Sequence, residues 1–393
     1  MSLKRDDIGR WILMHKHIAV AELEIMERAG VVTQVIETLN TDHAPMGTLN
    51  RLQKTINPEA VDTWLKSRVI PASRQNIDKL LRGLNLLNTN VLSLKSYGLS
   101  LSDQYWVKPK ESDYSWESIN FFQNNFSDDI GEILFQNKDV DHPNIKIISP
   151  DSNTDGILQK KWIIQNGKRV LMKGDSDLIE QRPFNEEIAS KLMERLGTNH
   201  VPYIVTYIKG RYYSLCDNFI NEDTELITAS QIIVNTAPEI TSKDDSPYQQ
   251  LLKCCDHLGI GDMKPQLEEM MVIDYLIANT DRHWGNFGFI RDANTLEWKG
   301  FAPIFDSGNS LWFDKRSTIE PALSETFEKT QNEQIKLVTD LSWYKAIPRK
   351  ELAKIIKDTL DKHLFMDEQR KAMIIDGVIK NAEVLANLKE DLR

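Results

Sequence analysis

Asn279-Thr280-Asp281-Arg282-His283-Trp284-Gly285-Asn286, followed downstream by Ala302-Pro303-Ile304-Phe305-Asp306, sets an acid, an amide and a second acid in a fixed order. That order suits phosphoryl transfer. An Asp on a loop can orient and deprotonate an attacking hydroxyl, and an Asn on the same loop can hold a metal ion. A second Asp arriving on a separate strand can bridge that metal to nucleotide phosphates. Each residue also has a plainer reading: Asp281 as a helix-end cap, Asp306 as a turn residue before Ser307-Gly308-Asn309. The set taken together, with Asp306 placed after the apolar run Phe301 to Phe305, favours the chemical reading. Asn286 and Asp306 offer oxygen to a hard cation such as magnesium, and without a His or Cys partner they do not imply zinc. His283 has two roles open to it, bracing the loop through a backbone hydrogen bond or lying near the phosphates. Arg282 can pair with a carboxylate or a phosphate, and the sequence does not decide between them.

Working outward, Leu267, Met270, Met271, Asp274, Tyr275 and Ile277 can share a buried helix face, which predicts a helix over 265–278 delivering the Asp281 loop. Strands over 286–290 and 296–304, around an Asp292-Ala293-Asn294-Thr295 turn, return the chain so that Asp306 lies beside Asn286. Upstream, Asn166-Gly167 predicts a hairpin between Trp162 and Lys173. A helix over 185–196 ends at Gly197, and a second hairpin turns at Lys209-Gly210. Strand-strand-helix-strand-strand is the pattern of a small kinase-like lobe. Lys173 at its strand end is a candidate for the nucleotide phosphates, with the solvated-lysine reading beside it, and Glu186 or Glu187 can pair with it. The loop Asp151-Ser152-Asn153-Thr154-Asp155-Gly156 is a candidate phosphate cradle built on backbone amides. It has a single Gly, so it is not a Walker loop, and an ordinary Asx-rich turn reads equally well. A hinge for an adenine ring falls near Cys216-Asp217-Asn218-Phe219, with Phe219 also readable as plain core.

Before residue 96 the pattern reads as mixed and mainly helical. It has a short strand at Val31 to Ile36, a helix over 58–68 capped by Asn57, and another over 73–87. Residues 96–149 form an aromatic-rich connecting segment, 150–217 a small lobe and 218–393 a larger one that is helical from Ser324 onward. The whole is α+β. The 393 residues, 41% hydrophobic and 27% charged, suit a globular chain of two or three domains. A formal net charge of −10 argues against broad non-specific DNA binding. The three cysteines, Cys216, Cys254 and Cys255, do not suggest a disulfide framework and fit a reducing cytoplasmic setting. No apolar run is long enough to span a membrane, and no secretory signal opens the chain.

The Asp281–Asn286 and Ala302–Asp306 segments resemble the catalytic and metal-binding segments of HipA-like kinases, and the Asp-Arg-His-x-x-Asn loop is also similar to that of lipid kinases. Two further segments match the HipA-like family: Asn185-Glu186 opening a helix that ends Arg195-Leu196-Gly197, and Asp155-Gly156 followed by Lys160. The resemblance covers about 150 to 393. The leading region resembles that of HipA-domain proteins of Gram-positive bacteria and looks unlike the N-terminal subdomain of HipA toxins. The resemblance implies a bilobal protein-kinase-like fold and transfer of the γ-phosphoryl of ATP, with Mg2+, to a protein Ser/Thr hydroxyl. It implies Asp281, His283, Lys173 and Glu186 in catalysis, Asn286 and Asp306 on the metal. It places Ser152, Asn153, Thr154, Gly156, Lys160, Lys173, Asp217 and Phe219 around the nucleotide. In the family the cradle loop can carry a regulatory phosphorylated serine; that position falls nearest Asn153 here, with Ser152 and Thr154 beside it. A helix-turn-helix antitoxin that binds DNA is the partner implied. A lipid or small-molecule kinase and a non-catalytic kinase-like module are the competing readings. The acidic chain leans against the lipid reading, and retention of Lys173, Asp281, Asn286 and Asp306 against the module.

Overall fold

A computed structural model describes residues 7–50, 53–136, 145–154, 159–318 and 322–392. The chain divides into two compact units. The first runs to Lys173 and adds Ile220–Leu226 and Arg291–Glu297; the second takes Gly174–Phe219, Ile227–Ile290 and the chain from Trp298. The boundary expected at 149/150 therefore lies inside the first unit.

The first unit opens with β1 (Ile8–His15), β2 (Ile18–Met26) and β3 (Val31–Thr38), then the short pair β4 (Leu49–Asn50) and β5 (Thr55–Ile56). Helices α1 (Pro58–Lys66), α2 (Ile77–Gly83) and α3 (Thr89–Lys95) precede β6 (Tyr105–Pro109). The strands form an antiparallel sheet in the order β3-β2-β1-β6. This corrects the expectation of a mainly helical region. The physical reason is packing on both faces of β1 along Trp11–Met14: Trp11 and Leu13 join one apolar cluster, while Ile12 and Met14 pack with the other. A strand covered on both sides loses the apolar–polar alternation that would have revealed it. Helix α1 forms as the sequence predicts, with the Asn57 side chain accepting from the N–H groups of Glu59 (2.9 Å) and Ala60 (3.1 Å). It buries Val61 and Trp64 beneath the sheet. Helix α2 is shorter than the expected 73–87. Two more helices, α4 (Trp116–Ile119) and α5 (Asp129–Gln136), lead to β7 (Lys160–Gln165) and β8 (Lys168–Lys173). That hairpin turns at Asn166 (φ 51°) and Gly167 (φ 77°), the left-handed pair that a tight two-residue turn requires.

In the second unit α6 (Arg182–Leu196) ends at Gly197, whose φ of 79° stops the helix. It is followed by the hairpin β9 (Ile204–Ile208) and β10 (Arg211–Asp217), as expected from Lys209-Gly210. After β11 (Thr224–Thr228) come α7 (Ala229–Ile240), α8 (Pro247–His257) and α9 (Lys264–Leu276). Capping boxes Thr228/Gln231 and Ser246/Gln249 start α7 and α8. The predicted hairpin after the Asp281 loop is β12 (Gly288–Asp292) and β13 (Trp298–Phe301). The chain beyond Ser324 is not continuously helical: it holds one turn, α10 (Gln331–Gln334), and a 3-10 turn at Ile335–Leu337, then is irregular until α11 (Arg349–Leu360) and α12 (Glu368–Asp391). Asn381 on α12 donates to the carbonyls of Tyr275 (2.8 Å) and Leu276 (3.3 Å). This satisfies buried terminal acceptors at the end of α9 and fixes where the Asp281 loop begins.

Candidate active site

Asp274 lies on α9 with no solvent exposure. A buried carboxylate needs a charged partner, and it finds one in Arg282, whose Nε and Nη2 each donate to it at 3.0 Å. Asn279 Nδ2 donates to the same carboxylate at 2.8 Å. The guanidinium then reaches further. Nη1 donates to the carbonyls of Asn286 (2.8 Å) and Phe305, and Nη2 to the Ser307 hydroxyl (3.3 Å). One planar fork of donors thus ties the end of α9 to both ends of the candidate metal site. Burial works against the Arg282 charge, but Asp274 and then Asp306 outweigh it and hold its pKa above the ordinary value. The sequence left Arg282 undecided; its partner is a carboxylate.

Around this brace the loop is well determined. Asn286 N–H donates to the His283 carbonyl and its Nδ2 to the Asp281 carbonyl, both at 2.8 Å. The Asn286 carboxamide oxygen is thereby left as an acceptor. His283 is exposed, and its Nδ1 accepts the Gly285 N–H at 3.1 Å, which is the bracing role. Trp284 packs edge-on against Phe327, and the Thr326 hydroxyl donates to the Arg282 carbonyl at 2.6 Å. Asp306 arrives from an extended segment rather than from a long strand. Val201 N–H donates to the Ile304 carbonyl (2.9 Å) and Ile304 N–H to that of Asn199 (3.0 Å). Asp306 itself has φ 57°, a left-handed conformation that a non-glycine residue keeps only when its surroundings enforce it. The Asn286 and Asp306 oxygens are the donor set that magnesium accepts.

Helix α6 faces this region along one side. Asn185 Nδ2 donates to the carbonyls of Gly308 (2.8 Å) and Ser310 (2.7 Å). Glu186 accepts from the Ser214 hydroxyl and lies beside Gly308, where an added Cβ would come within 3.6 Å of it. Glu187 was the other candidate partner for Lys173. It is buried, accepts from Val205 N–H (2.8 Å) and pairs with Lys191 (2.7 Å) and Lys362. Burial raises its pKa, but those partners more than compensate and bring it below the ordinary range. Phe219 is half-buried with its ring 5.5 Å from that of Phe305, next to Asp306, while Asp217 is exposed at the end of β10.

In the first unit, Lys160 and Lys173 are cross-strand partners at the open end of the β7–β8 hairpin. Residues directly opposite in an antiparallel pair project to one face, so the two candidate phosphate lysines share a side. The candidate cradle is different. Ser152 donates to the Ile147 carbonyl (2.7 Å), Asn153 to Ser96 Oγ (2.7 Å) and the Leu99 carbonyl (2.9 Å), and Thr154 to the Pro150 carbonyl (2.9 Å). All three side chains are buried against protein. Both hydroxyls offered for loop phosphorylation are therefore engaged inside the unit. Gly156 and Asp155 lie outside the described residues.

Sequence reasoning passed over Asp274, Asn279 and Asn309 as members of the site. A signal for Asp274 existed, since a carboxylate on the apolar face of a helix needs a buried cation.

Residues 152–366, more than half of the chain, match the family described as HipA-like C-terminal domain. The chain belongs to this family. Among curated proteins it is 30% identical over 133 residues to serine/threonine-protein kinase CtkA of Helicobacter pylori (strain J99), a stretch that is 33% of this chain and 40% of that protein. The match thus spans well under half of that relative's length. Among solved structures, a chain of the Shewanella oneidensis MR-1 toxin–antitoxin system HipA, HipB and operator DNA complex aligns with a TM-score of 0.56 at 14% identity, covering 97% of this chain and 99% of its own. This likeness shows a shared fold that takes in the N-terminal region as well. The crystal structure of the proinflammatory kinase CtkA of Helicobacter pylori aligns with a TM-score of 0.46 at 20% identity over 59% of this chain and 94% of that one. The HipA-like assignment and the α+β fold agree with the resemblance carried by the Asp281 and Asp306 segments.

Proposed function

We propose that this HipA-like chain is a protein serine/threonine kinase that transfers the γ-phosphoryl of ATP to a protein hydroxyl. The observation that carries the reading is the buried guanidinium of Arg282, which bonds backbone at both Asn286 and Phe305 and so ties the loop of Asp281 to the segment of Asp306. Asp281 orients the acceptor hydroxyl and takes its proton as the new O–P bond forms. The bond from the γ-phosphorus to the bridging oxygen breaks and ADP leaves. Asn286 and Asp306 would hold magnesium, which when bound supplies charge neutralisation at the phosphates. Lys160 and Lys173 would contact the phosphates, and Glu186 would support the lysine. The backbone at Asp217 and the ring of Phe219 would meet the adenine. The partner is a helix-turn-helix antitoxin, in keeping with the Shewanella structure of HipA with HipB and operator DNA, and the setting is cytoplasmic.

The test is a transfer assay with γ-labelled ATP and magnesium, offering the chain itself, casein and phosphoinositide vesicles in parallel. Label on protein Ser or Thr is expected. Label on lipid alone would transfer the reading to a lipid kinase. No label on any acceptor, together with no ATP·Mg-dependent rise in melting temperature, would overturn it.

A further inference from the structure

Asn309 occupies a position that the kinase reading does not use. Its Nδ2 donates to Asp281 Oδ2 at 2.6 Å, and its Oδ1 accepts from Arg182 Nε at 2.8 Å. The amide has only one workable orientation. A guanidinium has donors alone and an ionised carboxylate has acceptors alone, so the oxygen must face Arg182 and the nitrogen Asp281. The backbone around it is clamped as well. Thr280 donates to the Asn309 carbonyl through its N–H (3.0 Å) and its hydroxyl (3.1 Å), and Asn185 donates to the carbonyls on either side. Arg182 is itself locked. It pairs with Asp175 and with Asp177 (3.0 Å), and its guanidinium sits 4.1 Å over the Phe313 ring.

We propose that Asn309 is a positioning residue for Asp281, holding one carboxylate oxygen so that Oδ1 is presented to the acceptor hydroxyl. Arg182, in the first turn of α6, sets the direction of that hydrogen bond. Among the described residues Asp281 Oδ1 receives no hydrogen bond, which leaves it for substrate. Helix α6 therefore reaches the reacting group through Arg182 and Asn309, along the same face that carries Asn185 into the loop. The inference rests on the kinase reading, in which Asp281 meets the hydroxyl.

The experiment compares wild type, Asn309→Ala and Asn309→Asp in the labelled-ATP assay at several pH values, alongside the ATP·Mg melting shift. Asn309→Ala is expected to keep the melting shift and the KM for ATP while kcat falls roughly 100-fold, the scale of a misdirected general base. Asn309→Asp places a second carboxylate against Asp281. Only its protonated form can donate as the amide does, so its kcat is expected to be low at pH 8 and to recover as pH falls. A residue that merely held the fold would not give that acid rescue. An active wild type with kcat unchanged in Asn309→Ala, or with the wild-type pH profile in Asn309→Asp, overturns the positioning role alone. Loss of the melting shift in both variants also overturns it, by making Asn309 a folding residue. A wild type that transfers no label overturns the kinase reading, and the positioning role falls with it.

Discussion

Arg282 in the second unit and Arg291 in the first each lie against a fully buried carboxylate, Asp274 and Glu225, yet they direct their other contacts to different ends. Arg282 donates to the carbonyls of Asn286 and Phe305 and so fixes the backbone of a loop whose functional side chains point elsewhere. Arg291 bonds side chains: Glu225 (2.7 Å) and the Tyr105 hydroxyl (3.1 Å). Glu225 meets His15 (3.1 Å), and His15 Nδ1 contacts His43 Nδ1 at 2.7 Å. Burial would raise the Glu225 pKa, but His15 and Arg291 hold it below the ordinary range. This second network ties 220–226 and 291–297 to the sheet. The same ingredients serve in one place to shape a site and in the other to join distant segments of chain.

The largest effects are expected at the two arginines. Replacing either by Met leaves a carboxylate buried without its cation, and a loss of ~3–5 kcal/mol is expected for each in urea unfolding. The two differ under Arg→Lys. Arg282→Lys keeps charge but loses the fork, and is expected to abolish the ATP·Mg melting shift, which Arg291→Lys retains. If Arg291→Lys abolishes it too, the division of labour is wrong.

Asp151 extends the contrast to a buried carboxylate without enough partners. Its Oδ1 accepts the Trp162 N–H at 2.7 Å, while Oδ2 has no hydrogen-bond partner among the described residues. Burial pushes its pKa up to about 7. The folded state thus holds a proton that the unfolded chain releases above about pH 4, so stability falls as pH rises toward 7 and the cost is complete above it. Asp151→Asn is expected to stabilise on the order of a few kcal/mol at pH 8 and much less at pH 5, read by urea midpoints at both. An advantage independent of pH would show the group is ionised throughout.

A smaller effect is expected at Asp306. Asp306→Asn should weaken magnesium-dependent nucleotide binding roughly 10-fold or more, measured by calorimetry, with no change in urea midpoint beyond that of a surface substitution. Unchanged affinity would remove Asp306 from the metal. Smallest is the histidine pair. Burial, then His15 and Arg291, lower the His43 pKa against Glu225 and Asp42, so the folded state resists a proton that the unfolded chain takes up below about 6.5. Stability should fall as pH drops through that value, and His43→Gln should flatten the slope of melting temperature against pH between 7 and 5. An unaltered slope would place the acid sensitivity elsewhere.

The parts of this structure legible in the sequence were those with local causes. Asn166-Gly167 sets its own turn, Asn57-Pro58 starts its own helix, and Asp281, Asn286 and Asp306 declare themselves by order and spacing. The parts that stayed hidden depend on distance along the chain. The strand Ile8–His15 packs on both faces from Trp11 onward and so lacks alternation there. Ser152 and Asn153 read as a cradle because their composition suits one, whereas their partners Ile147, Ser96 and Leu99 make them interior. Arg282 was ambiguous until Asp274 appeared beside it, and Asn309 was passed over until folding set it between Arg182 and Asp281.

The catalytic role of Asp281 is tested most directly by the rate of phosphoryl transfer by Asp281→Asn, measured with its ATP·Mg melting shift. An intact shift with kcat lowered by about 10²–10⁴-fold is expected. Equal rates for Asp281→Asn and wild type would contradict that role.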